Sequence, residues 1–354
     1  MIQFKKTILF FITITVICCH DGKINGSFEN EEIDNDSISL TNGFIDKEYY
    51  GIPMLSSHVK NKFFFFSEYK SYPQMYFLKL KSELDIPFRG GYYFLDKTVE
   101  NIIVNPDGEC SIVDSNIQSE FINQFIPFVF SNYNKYDCIN NSFNLFKYKN
   151  STEYENKLFD YIKSNPNSYV GLWFLIESFS AKGYKKKYEN ILPFFSDKIK
   201  SEYLFPILQE KINNVEIKLD SKFPSLDFKN SYFNNGKLIF DSKYKYTLID
   251  FWFSRCKPCL ELYPELKRLY NEYHDKGFQV VSISVDKTAE IERWKNTIKS
   301  HNLEWDQYLD ENGILSKENQ IISFPTLCLL NEKGILISKN ISLEELEGLL
   351  RENL

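Results

Sequence analysis

Asp250-Phe-Trp-Phe-Ser-Arg-Cys256-Lys-Pro-Cys259-Leu-Glu-Leu-Tyr-Pro264 changes character in its middle. Residues 246–253 are apolar and aromatic almost throughout, as a strand covered on both faces of a sheet must be. After Cys256 the pattern becomes helical. Leu260, Leu262, Leu266 and Leu269 fall on or near one face, and Glu261, Glu265, Lys267 and Arg268 fall largely outside it. A Cys-x-x-Cys therefore sits at a strand-to-helix junction. There Cys256 would meet the free N–H groups and the positive dipole end of the helix, which favour a thiolate at neutral pH. Cys259 follows one turn later, close enough to close a small disulfide ring.

Phe251-Trp252, Cys256-Lys257-Pro258-Cys259 and Pro264 are joined downstream by Ile322-Ser323-Phe324-Pro325-Thr326. With this set the chain resembles the thioredoxin superfamily, and within it the TlpA/ResA-like thiol-disulfide oxidoreductases, over residues 218–354. The resemblance implies an α/β fold for that region: a thioredoxin fold, with a central mixed β-sheet flanked by helices. It also implies that Pro325 follows a cis peptide bond and packs against the cysteine pair. Lys222-Phe-Pro-Ser-Leu226 resembles the family's leading strand. Strands over 246–253 and 278–285, a helix over 288–300, an antiparallel pair over 326–330 and 334–337, and a final helix capped by Ser342 with Glu345 complete the order β-α-β-α-β-β-α. The stretch 303–321 corresponds to the family's inserted region.

The implied chemistry is thiol exchange. Cys256 attacks a partner disulfide, and Cys259 then resolves the mixed disulfide. Asp250 matches the family's buried aspartate, and burial should raise its pKa toward the range of a proton shuttle for Cys259. Trp252, Lys257, Pro258, Phe324 and Pro325 are the expected substrate-side residues, with Trp252 shielding the disulfide and Phe324 offering backbone groups to an incoming strand. The redox group is then the Cys256–Cys259 disulfide itself, with no separate cofactor and no metal. Three positions depart from the family pattern: Arg255 stands where Trp is usual, Lys257 where Gly or Glu is, and Leu262 where Glu is. The two basic residues should make the rim positive, weaken reducing power relative to thioredoxin and favour acidic partners.

The ends and composition set the context. Lys5 and Lys6 precede an apolar run over 8–17, too short to span a bilayer, so residues 1–19 read as a secretory signal peptide. Val16-Ile17-Cys18 before Cys19 resembles a lipobox, which makes Cys19 the expected lipidation site. Export to the cell envelope, on the periplasmic side and anchored by lipid to a bacterial membrane, would place the chain where unprotected thiols oxidise. Its partners would be envelope protein thiols and disulfides, with an upstream membrane electron donor. A net charge of −6 with both signs scattered gives no basic patch, which argues against nucleic acid. Beyond the signal, Cys110, Cys138, Cys256, Cys259 and Cys328 remain. The odd count leaves at least one thiol unpaired; a Cys110–Cys138 pair is open, and Cys328 reads as a buried inert thiol.

Residues 20–43 are polar and acidic and read as a flexible tether. Residues 44–130 read as a β-rich domain, within which Phe63-Phe-Phe-Phe66 reads as a buried strand. Residues 131–217 read as helical, with helices over 153–163, 169–180, 188–195 and 201–213, and Lys185-Lys186-Lys187 as a solvated helix face. This β-rich plus helical region resembles the segment that precedes many lipoprotein-type TlpA-like domains.

Three other readings compete for these residues. A zinc site of Cys256, Cys259, His274 and His301 lacks finger spacing. A peroxiredoxin would need Thr or Ser where Phe253 stands. A non-catalytic envelope binding lipoprotein, working through its N-terminal region, is the remaining alternative.

Overall fold

The computed structural model describes residues 24–29, 37–42, 54–66, 72–81, 91–96, 101–105, 110–112, 115–140, 147–226, 228, 230–232 and 243–354. The expected signal peptide and Cys19 lie outside these residues. The chain forms two compact units, residues 1–41 with 51–118, and residues 42–50 with 119–354.

The first unit is built on β1 (Ile24–Phe28), β2 (Ser37–Asn42), β3 (Met54–His58), β4 (Phe63–Phe66), β5 (Gln74–Lys81), β6 (Tyr92–Leu95), β7 (Asn101–Val104) and β8 (Cys110–Ile112). Among the described residues they make two four-stranded sheets, ordered β4-β1-β7-β8 and β3-β2-β5-β6. The tether expected over 20–43 is thereby corrected, since both β1 and β2 fall within it. Ile24, Gly26 and Phe28 alternate inward on β1, and β1 pairs antiparallel with β4 and parallel with β7. Gly26 is what lets β4 close over it: a Cβ there would lie 2.0 Å from the Phe64 ring. The four phenylalanines of β4 also alternate. Phe64 and Phe66 are buried and Phe63 and Phe65 are exposed, so the buried-strand reading holds for every second residue only.

The chain passes from the first unit into the second within α1 (Asn116–Glu120), and a π-helical turn over Phe121–Phe125 and α2 (Ile126–Val129) follow, inside the stretch expected to be β-rich. Phe121 and Phe125 recur at helical spacing and stack on Phe174, at ring-centroid distances of 5.7 and 4.4 Å, so packing against a helix overrides the strand propensity of the aromatics. Then follow α3 (Lys135–Asn140), α4 (Thr152–Ser164), α5 (Tyr169–Lys182), α6 (Lys186–Ile191), α7 (Asp197–Lys200) and α8 (Leu204–Asn214). α5 is apolar all round and every residue from Tyr169 to Phe179 is buried, which makes it the central helix of this layer. Ser168 caps it, accepting the Gly171 N–H at 2.7 Å.

The lysine run is not a solvated face. Lys185 and Lys187 both donate to Glu155 of α4, the first at 2.7 Å. Tyr188 donates to the same carboxylate at 2.7 Å, and the Lys182 ammonium lies 3.4 Å away. Glu155 is 3 % exposed. Burial alone would raise its pKa, but the donors from Lys185, Lys187 and Tyr188 outweigh burial and hold it at about 2. Lys186 does face outward, and reaches Glu189.

The C-terminal part is a six-stranded mixed sheet of β9 (Asn230–Ser231), β10 (Tyr246–Trp252), β11 (Phe278–Ser284), β12 (Asp306–Leu309), β13 (Thr326–Asn331) and β14 (Leu336–Lys339), in the order β14-β13-β10-β11-β12-β9. β10, β11 and β12 run parallel; β13 is antiparallel to β10, and β14 to β13. The helices are α9 (Lys257–Tyr273), α10 (Ile291–His301), α11 (Ile314–Glu318) and α12 (Leu343–Asn353). Ser342 and Glu345 form the expected capping box on α12. The inserted stretch supplies β12 and α11. Residues 222–226, expected as a leading strand, make a single bridge, Lys222 to Ile335, because Pro224 cannot donate to a ladder. Even-numbered residues of β10 face α9 (Leu248 and Trp252 share a core with Leu266 and Leu269), and odd ones face the opposite layer with Phe223 and Leu226.

Glu155→Gln should lower the free energy of urea unfolding at pH 7 by on the order of 3 kcal/mol, because it strands Lys182 next to an unpaired site. The folded-state pKa of Glu155 lies below its unfolded value. Its contribution is therefore complete above about pH 4.5 and is lost as pH falls toward about 2, where wild type and variant should converge.

Candidate functional site

The two cysteines lie where β10 gives way to α9. Their sulfurs are 1.96 Å apart, at bonding distance, and their Cα atoms are 5.2 Å apart. Cys256 is the N-cap of α9, with extended backbone, and its Sγ accepts the Cys259 N–H at 3.2 Å. A sulfur in this place does what a Ser or Asp oxygen does at other helix starts, so the N–H groups of the first turn already point at it. Lys257 and Pro258 are exposed in that turn, where Pro258 costs no intrahelical bond. Cys256 and Cys259 are 3 % and 1 % exposed, so the disulfide is covered from behind.

Trp252 is part of that cover. It is fully buried, with its ring edge-on to Tyr263 at 5.4 Å, in one core with both cysteines. A wholly buried ring in this place packs behind the pair, where the expected shielding role would put it. Phe324 and Pro325 are half-buried at the rim and joined by a cis peptide bond. Phe324 meets Phe253 edge-on at 5.6 Å.

Asp250 sits on the β10 face that α9 covers and is 2 % exposed. Burial raises its pKa to about 7, against a smaller lowering by the Ser282 hydroxyl, which donates to Oδ2 at 2.9 Å. Ser282 in turn accepts the Trp305 Nε1–H at 2.8 Å. Tyr263, one turn after Cys259 on α9, is also buried. Desolvation and then the charges of Asp250 and Asp286 push its hydroxyl well above the usual range, so it stays protonated.

The sequence reading missed a second carboxylate that anchors the site. Asp286 follows β11 and is 1 % exposed. It accepts the Ser254 N–H at 2.9 Å, the Ser254 hydroxyl at 2.7 Å and the Ser284 hydroxyl at 2.6 Å. It thus pins the turn that delivers Cys256. The signal was present in Ser282-Ile-Ser284-Val-Asp286, where polar side chains at every second position of an apolar strand put all three on one face. The neighbouring Glu290 binds Arg255 at 2.7 Å, and Glu261 lies 3.7 Å from Lys257. Each basic residue that was to make the rim positive has an acid beside it.

Cys328 is buried on the opposite face of the sheet, and burial pushes its thiol up to about 12. Cys110 begins β8 and Cys138 lies buried in α3. His274 faces the Phe278 carbonyl and His301 packs on Tyr263. Among the described residues no three His, Cys, Asp or Glu side chains converge as metal ligands.

A cysteine pair capping the first helix after a central parallel strand, facing a cis-proline loop, defines a domain of the thioredoxin class. Residues 244–336 match the thioredoxin-like family model. Among curated proteins, the chain is 31 % identical over 99 residues to the thiol-disulfide oxidoreductase ResA of Bacillus thuringiensis subsp. konkukian (strain 97-27), covering 28 % of this chain and 56 % of that protein. It is 33 % identical over 89 residues to the sporulation thiol-disulfide oxidoreductase A of Bacillus subtilis (strain 168), covering 25 % and 54 %. The chain thus spans about half the length of these curated relatives. Among solved structures, a thiol-disulfide oxidoreductase from Bacteroides fragilis NCTC 9343 is 34 % identical over 38 % of this chain and all of that one, with a TM-score of 0.33. Residues 244–336 are therefore a thioredoxin-like domain, similar in sequence to ResA-type thiol-disulfide oxidoreductases.

Asp250→Asn should stabilise the oxidised protein at alkaline pH. The folded state holds a proton on Asp250 that the unfolded state releases near pH 4. Stability therefore falls as pH rises from about 4 to about 7, by roughly 4 kcal/mol in all. Urea midpoints of wild type and variant should coincide at pH 4 and separate in favour of the variant at pH 8.

Proposed function

We propose that the protein is a thiol-disulfide oxidoreductase of the cell envelope that reduces disulfides in exported proteins through Cys256 and Cys259. The observation that carries this reading is the hydrogen bond from the Cys259 N–H to the Cys256 sulfur at the start of α9. The same N–H groups that cap the helix would hold a thiolate there once the disulfide is reduced. The names of the curated relatives support the same class of reaction.

In the forward direction the Cys256 thiolate attacks one sulfur of a partner disulfide. That S–S bond breaks, the partner's other sulfur leaves as a thiolate, and a mixed disulfide joins Cys256 to the partner. Asp250 accepts the Cys259 proton, for which a pKa of about 7 is well matched. The Cys259 thiolate then attacks Cys256, the mixed disulfide breaks, and the partner's second sulfur departs as a thiolate. Two electrons have passed to the partner, and the Cys256–Cys259 bond has re-formed. A membrane dithiol donor would return them. Lys257, Pro258, Phe324 and Pro325 flank the opening where a partner segment would lie, with the backbone of Phe324 available for strand-like pairing. The disulfide is the redox group, so the reaction calls for no further cofactor.

The envelope location rests on the charged, then apolar, then cysteine-bearing start of the chain. No described helix is long and apolar enough to cross a membrane, and attachment is assigned to a lipid on Cys19. Cys19→Ser should move the protein from the membrane to the soluble fraction of cells expressing it; an unchanged distribution would dismiss the anchor.

With a disulfide-bonded protein as substrate, Cys259→Ser should accumulate a mixed disulfide on non-reducing gels, and Cys256→Ser should form none. Equilibration with glutathione should place the wild-type pair nearer about −270 mV than about −120 mV, as a reductase requires. Failure of the two cysteines to form a bond at any potential would sink the oxidoreductase reading.

A further inference from the structure

The helical layer before the thioredoxin-like domain touches that domain through residues 319–322. The α5–α6 turn meets the loop that leads into the cis proline. Gly183 ends α5 with φ 69° and ψ −171°, a region open essentially to glycine alone. Its α-carbon lies directly against the Gln320 carbonyl: a Cβ at Gly183 would be 2.4 Å from that oxygen and 3.8 Å from Ile322 Cγ1. The adjacent Asn319 is buried, and its Oδ1 accepts the backbone N–H groups of Glu216 and Ile217, at 2.8 and 2.9 Å, where the helical layer hands over to the next domain. Glu189 of α6 closes the same corner, binding Lys218 at 2.7 Å.

Residues 319 and 320 therefore have their geometry set from the helical side. Five residues on, the chain reaches Pro325. Between them Ile322 is 41 % exposed, an apolar side chain left open on the rim next to Phe324. The rim that would receive a partner polypeptide thus runs from the α5–α6 turn, through Ile322 and Phe324, to the cysteine pair. A small disulfide needs only the sulfurs; an extended protein segment needs the loop held in place along its length.

We propose that the helical layer is a positioning element for protein substrates: it fixes loop 319–325 through Gly183 and Asn319, and so sets recognition of an extended cysteine-bearing segment without setting the chemistry of the dithiol. This rests on the oxidoreductase reading above.

The test uses the full chain with dithiothreitol as the electron donor that re-reduces Cys256–Cys259, insulin as the protein disulfide and oxidised glutathione as the small one, each rate corrected for the donor alone. Gly183→Ala and Asn319→Ala should each raise KM for insulin about fivefold or more. Turnover of oxidised glutathione and the equilibrium potential of Cys256–Cys259 should stay at their wild-type values. Asn319→Asp keeps the acceptor for both N–H groups and should restore the insulin KM. The Asn319 pair decides the matter if Gly183→Ala does not fold. An unchanged insulin KM in Asn319→Ala would overturn the proposal. So would a parallel loss with both substrates, or a shifted potential, since either would mean general damage to the domain. Wild-type protein that turned over neither disulfide would remove the oxidoreductase reading itself, and the proposal with it.

Discussion

One sulfur does two jobs in this domain. Cys256 has to terminate a helix, a task that calls for an acceptor facing the free N–H groups of the first turn. In the proposed reaction it is also the reactive atom, a task that calls for a stabilised negative charge. Because the sulfur itself accepts the Cys259 N–H, both needs are met by one contact, and much of the domain serves to keep that contact in place. β10 lies between β11 and β13 and carries the turn. Asp286 ties Ser254 down, and Trp252 and Tyr263 fill the space behind. Asp250 lies on the same covered face, where loss of water makes its carboxylate a far weaker acid than it would be at the surface.

The buried acids of this chain show how partners decide what burial does. Asp250 has one hydroxyl donor, and desolvation wins, raising its pKa to about 7. Glu155 is as well hidden, but it collects two ammonium donors and a phenol, and its pKa falls to about 2. The first arrangement leaves a proton free to move near neutrality. The second leaves a permanent charge that fastens α4 to the turn after α5, the same turn that meets the loop before the cis proline.

Where a single stretch carries its own signal, the sequence was readable. Residues 246–252 and 278–284 are predominantly apolar runs, the Cys-x-x-Cys marks the helix start, and Phe324-Pro325 marks the opposite wall. Asp250 could be picked out because it matches the buried aspartate of the resembled family in place and in its spacing from Cys256. What stayed hidden depends on residues far apart in the chain. The lysines at 185–187 look like a solvent face until Glu155, some thirty residues earlier, is placed beneath them. β1 looks like part of an acidic tether until Phe64 is seen lying across Gly26. The helical turns over 116–129 are full of strand-forming aromatics, and only the Phe174 ring explains why they coil. Asp286 sits just beyond a strand end; its spacing from Ser282 and Ser284 marks a shared polar face, but the reach of its carboxylate back to Ser254 spans thirty-two residues of chain.

Cys328 is built into β13, next to the strand that carries the reactive turn, yet it belongs to the other side of the sheet. Holding its proton up to about pH 12, it offers almost no nucleophile to an open mixed disulfide. The sheet thus works as an insulator between two kinds of sulfur, one wired for exchange and one kept silent. In the proposed cycle, a domain with three cysteines can then pass through a covalent intermediate without scrambling its own connections, and its fold gains the volume of a small apolar side chain at no chemical risk.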